Sequence, residues 1–138
     1  CIRDRFEDIY FSQFYGINVY YNSIIINISI TYIFYLEKNL LRLGTTSGSV
    51  IVADAINFLK RSKDIDPFDI VFLDPPFKAN LMFDCFQLLE SNNMIADNGS
   101  IYIETETELK EERLPESWRL SHKNQAGKVF YYLYKKIN

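Results

Sequence analysis

The stretch Phe68-Asp69-Ile70-Val71-Phe72-Leu73-Asp74-Pro75-Pro76-Phe77 holds the residues best suited to chemistry. An apolar run ends in a carboxylate, and in open α/β sheets ligands bind beyond the carboxyl ends of the strands, so Asp74 is expected to face a cleft. Two successive prolines fix φ and remove two backbone donors, which leaves the Asp74 and Pro75 carbonyls as acceptors, while Phe77 supplies a flat ring. A carboxylate and a carbonyl can accept both hydrogens of an exocyclic amine and align its nitrogen lone pair, and the ring can stack on a planar base. The plainer alternative is that Pro75-Pro76 merely ends a buried strand and Asp74 caps the next segment. The apolar strand before, the aromatic ring after, and a second acid, Asp54, at the end of the preceding strand favour the amine-binding arrangement.

These residues need a sheet to hold them. Leu36, Leu40 and Leu43 recur at helical spacing with Gly44 as a C-cap. Residues 49–53 read as a strand, and Asp54 is placed to N-cap a helix through Ile56 and Leu59. Residues 69–73 are apolar almost throughout, as in a parallel strand covered on both faces. Leu81, Cys85, Leu88 and Leu89 line a helical face, and Asn98-Gly99 is expected to turn the chain into a strand over residues 100–104. This rhythm predicts an α/β fold with Asp54 and Asp74 ending neighbouring strands at one sheet edge. Residues 118–121 and 129–134, separated by Gly127, read as a terminal antiparallel hairpin.

Residues 9–36 differ in kind. They contain no charged side chain, and 23 of the 28 are Ile, Asn, Tyr, Phe or Ser. The recurrence of Asn18, Asn22 and Asn27 argues against a membrane-spanning helix. Alternation of Ile24, Ile26, Ile28 and Ile30 with Ile25, Asn27, Ser29 and Thr31 is strand periodicity. All five residue types also have A/T-rich codons, so an out-of-frame or recombined segment joined to a genuine coding sequence is the third reading. The organisation expected is therefore an atypical segment, 1–35, poorly packed or strand-like, and then an α/β unit, 36–138. The first residue is Cys rather than Met, which reads as a fragment boundary.

The chain's 138 residues, 48% hydrophobic and 24% charged, predict one packed domain or part of one, and the net charge of -3 gives no global attraction to nucleic acid. Cys1 and Cys85 lie far apart without C-x-x-C spacing, which disfavours a disulfide scaffold or metal site and fits a reducing cytoplasm. The last 22 residues contain no acid. Arg119, His122, Lys123, Lys128, Lys135 and Lys136 there suit either phosphate contact or a solvated hairpin face. Glu104, Glu106 and Glu108 read as an acidic edge that discourages strand pairing. Trp118 is expected to pack the hairpin on the sheet, and Cys85 to be buried.

From about residue 36 to 138, three quarters of its length, the chain resembles the C-terminal half of the bacterial small-subunit (16S) ribosomal RNA guanine-N2 methyltransferases. Those are S-adenosylmethionine-dependent enzymes of the Rossmann-like class. The resemblance rests on Leu36-Glu37-Lys38-Asn39-Leu40, Asp54-Ala55 with Phe58-Leu59, Asp74-Pro75-Pro76-Phe77, Gly99 to Glu104, Trp118 to Leu120, and Lys123 with Ala126-Gly127-Lys128-Val129. It implies an incomplete Rossmann-like fold with a C-terminal antiparallel hairpin. It further implies a target guanine held by Asp74, Pro75, Pro76 and Phe77, and Asp54 and Ala55 bordering the adenine of S-adenosylmethionine. The implied partner is small-subunit ribosomal RNA or its assembling particle, met by a cytoplasmic monomer without membrane or metal. Two family features are missing, a glycine-rich loop after the first strand and an acid for the donor's ribose: the only glycine before Gly44 is Gly16. Three functions are compatible with these residues: the guanine-N2 methyltransferase, a truncated non-catalytic remnant that at most binds RNA, or an amine methyltransferase acting on adenine or cytosine.

Overall fold

The computed structural model describes residues 16–20, 23–27, 38, 41, 42, 44, 48–74 and 79–138. Among them, seven strands form one sheet: β1 (Gly16–Tyr20), β2 (Ser23–Asn27), β3 (Gly48–Val52), β4 (Phe68–Asp74), β5 (Ile95–Thr105), β6 (Trp118–Ala126) and β7 (Val129–Lys136). Their order across the sheet is β3-β1-β2-β4-β5-β7-β6. The helices are α1 (Ala55–Arg61), between β3 and β4, and α2 (Ala79–Ser91), between β4 and β5. Near the start, Lys38, Leu41 and Arg42 are helical. Gly44 takes φ 61° and donates its N–H to the Leu41 carbonyl at 3.1 Å, as a helix-ending glycine does. No helix among the described residues is long and apolar enough to cross a membrane.

The strand directions follow from the lengths of the connections. Strand β4 runs parallel to β5 because the α2 crossover joins them, whereas only residues 21 and 22 separate β1 from β2, which a crossover of a dozen residues cannot bridge. The pair β1–β2 is therefore an antiparallel hairpin, with β1 also antiparallel to β3 and β2 parallel to β4. The result is a mixed sheet. Asp54 and Asp74 do lie at the same carboxyl edge, but β1 and β2 stand between their strands, so the expectation of neighbouring strands is corrected. Sequence periodicity identifies the segment holding β2 as strand-like without indicating where in the sheet it inserts.

The core lies on the face covered by α1 and α2. Leu59 from α1, Phe86 and Leu89 from α2, Val71 and Leu73 from β4, and Ile101 and Ile103 from β5 are buried there. Full burial of such side chains stabilises by about 1.5–3 kcal/mol each. On the opposite face Ile70 is 37% exposed and Phe72 and Tyr102 are half-buried, so β4 is not covered equally on both sides as its composition suggested.

Strand β5 begins earlier than expected. Phe68 pairs with Ile95 and Ile70 with Ser100, so Asn98 and Gly99 form a bulge inside the strand rather than a turn before it. Asn98 adopts φ 60°, and a Cβ on Gly99 would lie 2.8 Å from the Ala96 carbonyl oxygen. Because β5 is an interior strand, Glu104 does not guard a sheet edge; it accepts a hydrogen bond from the Tyr102 hydroxyl at 3.0 Å. Glu108, beyond the strand, instead pairs with Lys123.

The terminal hairpin forms as expected, with β6 and β7 joined by Gly127-Lys128. The φ of 60° at Gly127 suits the first position of a two-residue hairpin loop. Trp118 packs on α2, 5.1 Å from the Phe86 ring, and its Nε1 donates to Glu90 at 3.0 Å. Lys136 is buried where α2 ends, donating to Asn93 Oδ1 and the Ile95 carbonyl, both at 3.0 Å.

Candidate functional site

The carboxyl edge of the sheet collects the polar residues on which a site can be built. At the end of β4, Asp74 is half-buried and stands level with Asn27 of the parallel strand β2. Asn27 pairs in turn with Gly16 of β1, and Gly16 with Val52 of β3, so four strands come into line at this edge. On the other side of β4, Leu73 pairs with Ile103, which brings Asp74 level with Glu104 and its bonded Tyr102. Phe72 and Tyr102 meet edge to face, with ring centroids 5.9 Å apart. Pro75, Pro76 and Phe77, the remaining residues expected to hold a base, lie outside the described residues.

Asp54 follows β3 and opens α1. Its Oδ1 accepts the Asn57 N–H at 2.8 Å, the N-cap role that its position before an apolar helix predicts. Ala55, the next residue, is only 1% exposed, buried under the start of the helix. With strands about 4.8 Å apart, the three steps from β3 to β4 separate the two strand ends by roughly 14 Å. One small group cannot touch both; a ligand that meets both must be long and lie along the edge.

Other groups near α2 are not chemically poised. Burial, and then the nearby Asp84 and Asp54 carboxylates, push the Cys85 thiol up to about 12, which keeps it protonated and unreactive at neutral pH. Among the described residues no group of three or more His, Cys, Asp or Glu could hold a metal ion. His122 is exposed on β6, its Nδ1 2.8 Å from the Ser121 hydroxyl.

Sequence reasoning missed Asn27 and Tyr102 beside the end of β4, and Gly16 one strand further on. The period-2 pattern over residues 24–31 is legible, yet register with β4 is a long-range property that no local spacing encodes.

The sheet departs from the usual arrangement for a methyl donor at the strand beside β4. In a doubly wound sheet of order 3-2-1-4-5 the strand beside the fourth is the first, and its carboxyl end feeds the glycine-rich loop. That position is filled by β2, and no glycine comes after it before Gly44. Strand β1, in the next position, runs the opposite way.

Comparison with known proteins agrees with this architecture. The family described as Conserved hypothetical protein 95 matches residues 20–135. The chain is 38% identical over 101 residues to Ribosomal RNA small subunit methyltransferase D of Escherichia coli, covering 73% of this chain and 50% of that protein. To the protein of the same name from Buchnera aphidicola it is 40% identical over 107 residues, covering 77% of this chain and 54% of the relative. The chain thus spans about half the length of the curated relatives it matches. Among solved structures, an Escherichia coli protein described as a methyltransferase superposes with a TM-score of 0.71 at 34% identity, over 83% of this chain and 62% of that one. A Haemophilus influenzae protein described as a methylase gives 0.68 at 37% identity, over 84% and 72%. The α/β sheet is a Rossmann-like methyltransferase fold.

Proposed function

The chain belongs to the family described as Conserved hypothetical protein 95, and from that premise we propose that it carries the base-accepting half of a small-subunit ribosomal RNA guanine-N2 methyltransferase. The observation that carries the reading is Asp74 at the carboxyl end of β4, in a chain about 40% identical to proteins named for methylating this RNA. In this reading Asp74, with the Pro75 carbonyl, accepts the hydrogens of the guanine exocyclic amine, and Phe77 stacks on the ring; Pro76 restricts the backbone between them. A neutral amine is a competent nucleophile once oriented and desolvated, so these residues work by positioning rather than by forming a covalent bond.

S-adenosylmethionine is the donor this family reading requires, with Asp54 and Ala55 bordering its adenine. The residues present do not fit it well: the Asp54 carboxylate already caps α1, Ala55 is buried, and β2 leads into a glycine-free stretch. No transfer step is therefore assigned to the chain as it stands. These same observations favour a second reading, a remnant that meets RNA without methylating it.

Calorimetric titration with S-adenosylmethionine, beside a methylation assay on unmodified small-subunit RNA, separates the two. Weak donor binding with little transfer is expected. Tight donor binding, with turnover on guanine abolished by Asp74→Ala, would establish a working enzyme and overturn the remnant. Transfer that lands on adenine or cytosine, or survives Asp74→Ala, would overturn the guanine site.

A further inference from the structure

The terminal hairpin sorts its charges by face. Cross-strand partners share a face. Tyr132, paired with Lys123, is buried on the helix-covered face, where its hydroxyl accepts the Leu109 N–H at 3.1 Å. Lys123 is tied there to Glu108 and lies over the Phe130 and Tyr132 rings at 5.8 and 5.6 Å. It is engaged with its own chain.

The other face is different. Arg119 pairs directly with Lys135, and His122 pairs with Leu133 after a bulge that restores the alternation. Two cations placed directly opposite disfavour the hairpin by themselves. Neither is neutralised by a neighbouring acid in the strand pair, since the chain holds no acid after Glu116. The Lys135 ammonium donates to neutral acceptors, Ser100 Oγ at 2.7 Å and the Asn98 carbonyl at 3.2 Å. Arg119, His122, Lys128 and Lys135 are all exposed.

Topology gives this strip a direction. Strand β7 is antiparallel to both β5 and β6, so β6 runs parallel to β4 and β5. The Gly127-Lys128 loop therefore emerges at the carboxyl edge that holds Asp74. From Arg119 to Lys128 the outermost strand covers roughly 25 Å at the usual rise per residue, enough for several nucleotides.

We infer that the outer face of the β6–β7 hairpin, with Arg119, His122, Lys135 and the loop residue Lys128, binds the phosphodiester backbone of RNA and leads it along β6 toward the Asp74 edge. The inference rests on the ribosomal RNA reading of the Asp74 site and supplies the substrate contact that a net charge of -3 does not. Phosphate contacts of this kind are indifferent to sequence and set the register of the strand.

The test is fluorescence anisotropy with a labelled single-stranded small-subunit RNA fragment, without methyl donor, at several salt concentrations. Each single-strand phosphate contact contributes about 0.7 to the slope of log affinity against log salt, so Arg119→Gln with Lys128→Gln should make the slope shallower by about 1.4. Lys60→Gln with Lys63→Gln, an equal loss of exposed charge around the end of α1, should leave it unchanged. Trp118 fluorescence checks that each variant is folded. An unchanged slope in the hairpin variant, an equal fall in the α1 variant, or no RNA binding by the parent chain would each overturn the inference. Hairpin-dependent binding by a chain that shows no transfer in the separate methylation assay would leave the inference standing and decide the function for the remnant.

Discussion

Asp54 and Asp74 lie at the same edge of the sheet with the whole β1–β2 hairpin between their strands. The separation of roughly 14 Å makes them independent in stability even if one long ligand spans both. Asp54→Ala removes the N-cap of α1 and should cost about 1 kcal/mol, most of it restored by Asp54→Ser, whose hydroxyl can still accept from Asn57. Combined with Asp74→Ala, the two effects should add within about 0.5 kcal/mol in urea unfolding. A larger coupling would mean that the two sites share partners.

The N-cap at Asp54, the β4 strand ending at Asp74, the burial of Cys85 and Leu89 on α2 and the terminal hairpin are legible because each is encoded locally, in a spacing or a turn residue, whereas Met82 and Phe86 take the buried places expected for Leu81 and Leu88. Strand insertion is not. Residues 23–27 carry strand periodicity, but nothing in them says that they will lie beside β4. The bulge at Asn98-Gly99 reads as a turn for a related reason: the same residues supply positive φ and close approach in both, and only pairing of Phe68 with Ile95 distinguishes them. Pairing also decides that Glu104 belongs to an interior strand.

Cys85 and Tyr134 predict sensitivity to alkali. Burial first, then Asp84 and Asp54, raise the thiol from 9.0 to about 12, and burial first, then Tyr132 and Glu111, raise the Tyr134 phenol. A raised pKa means that the folded state holds its proton more tightly than the unfolded one. The resulting stabilisation is complete below pH 9 and is lost as pH rises from about 9 toward 12, with the phenol adding to the loss above pH 10. Urea midpoints measured from pH 8 to 11 should fall, and Cys85→Ala, though less stable at pH 8, should fall less steeply. A thiol reagent should label Cys85 at pH 8 only after unfolding.

Gly99 should resist substitution. A Cβ there meets the Ala96 carbonyl oxygen and Ile95 Cγ2 at 2.8 Å, with the Phe68 carbonyl at 3.3 Å, and two of these three atoms are backbone. Gly99→Ala must shift the bulge that carries β5 from its Phe68 pairing to its Ile70 pairing. A loss of about 1–3 kcal/mol is expected, the range for overpacking a tight site. Gly127→Ala has nothing within 4 Å and is penalised only for φ, so it should cost less.

Glu90 joins the hairpin to α2, and its loss should be read at Trp118. One carboxylate oxygen accepts the Ser117 hydroxyl at 2.8 Å and the other the Trp118 Nε1 at 3.0 Å. Glu90→Leu leaves both donors without that acceptor, in a place where Trp118 is only 6% exposed and packs on Phe86 and Tyr134. An unsatisfied buried donor costs about 1–3 kcal/mol, which should lower the melting temperature by several degrees in a domain of this size. Trp118→Phe removes the indole donor along with part of the packing. If the hydrogen bond is what couples the two positions, the Glu90→Leu, Trp118→Phe pair should cost less than the sum of the single changes by about 0.5 kcal/mol or more. Strict additivity in that double-mutant cycle would show that Trp118 itself is held on α2 by ring packing and not by its hydrogen bond to Glu90.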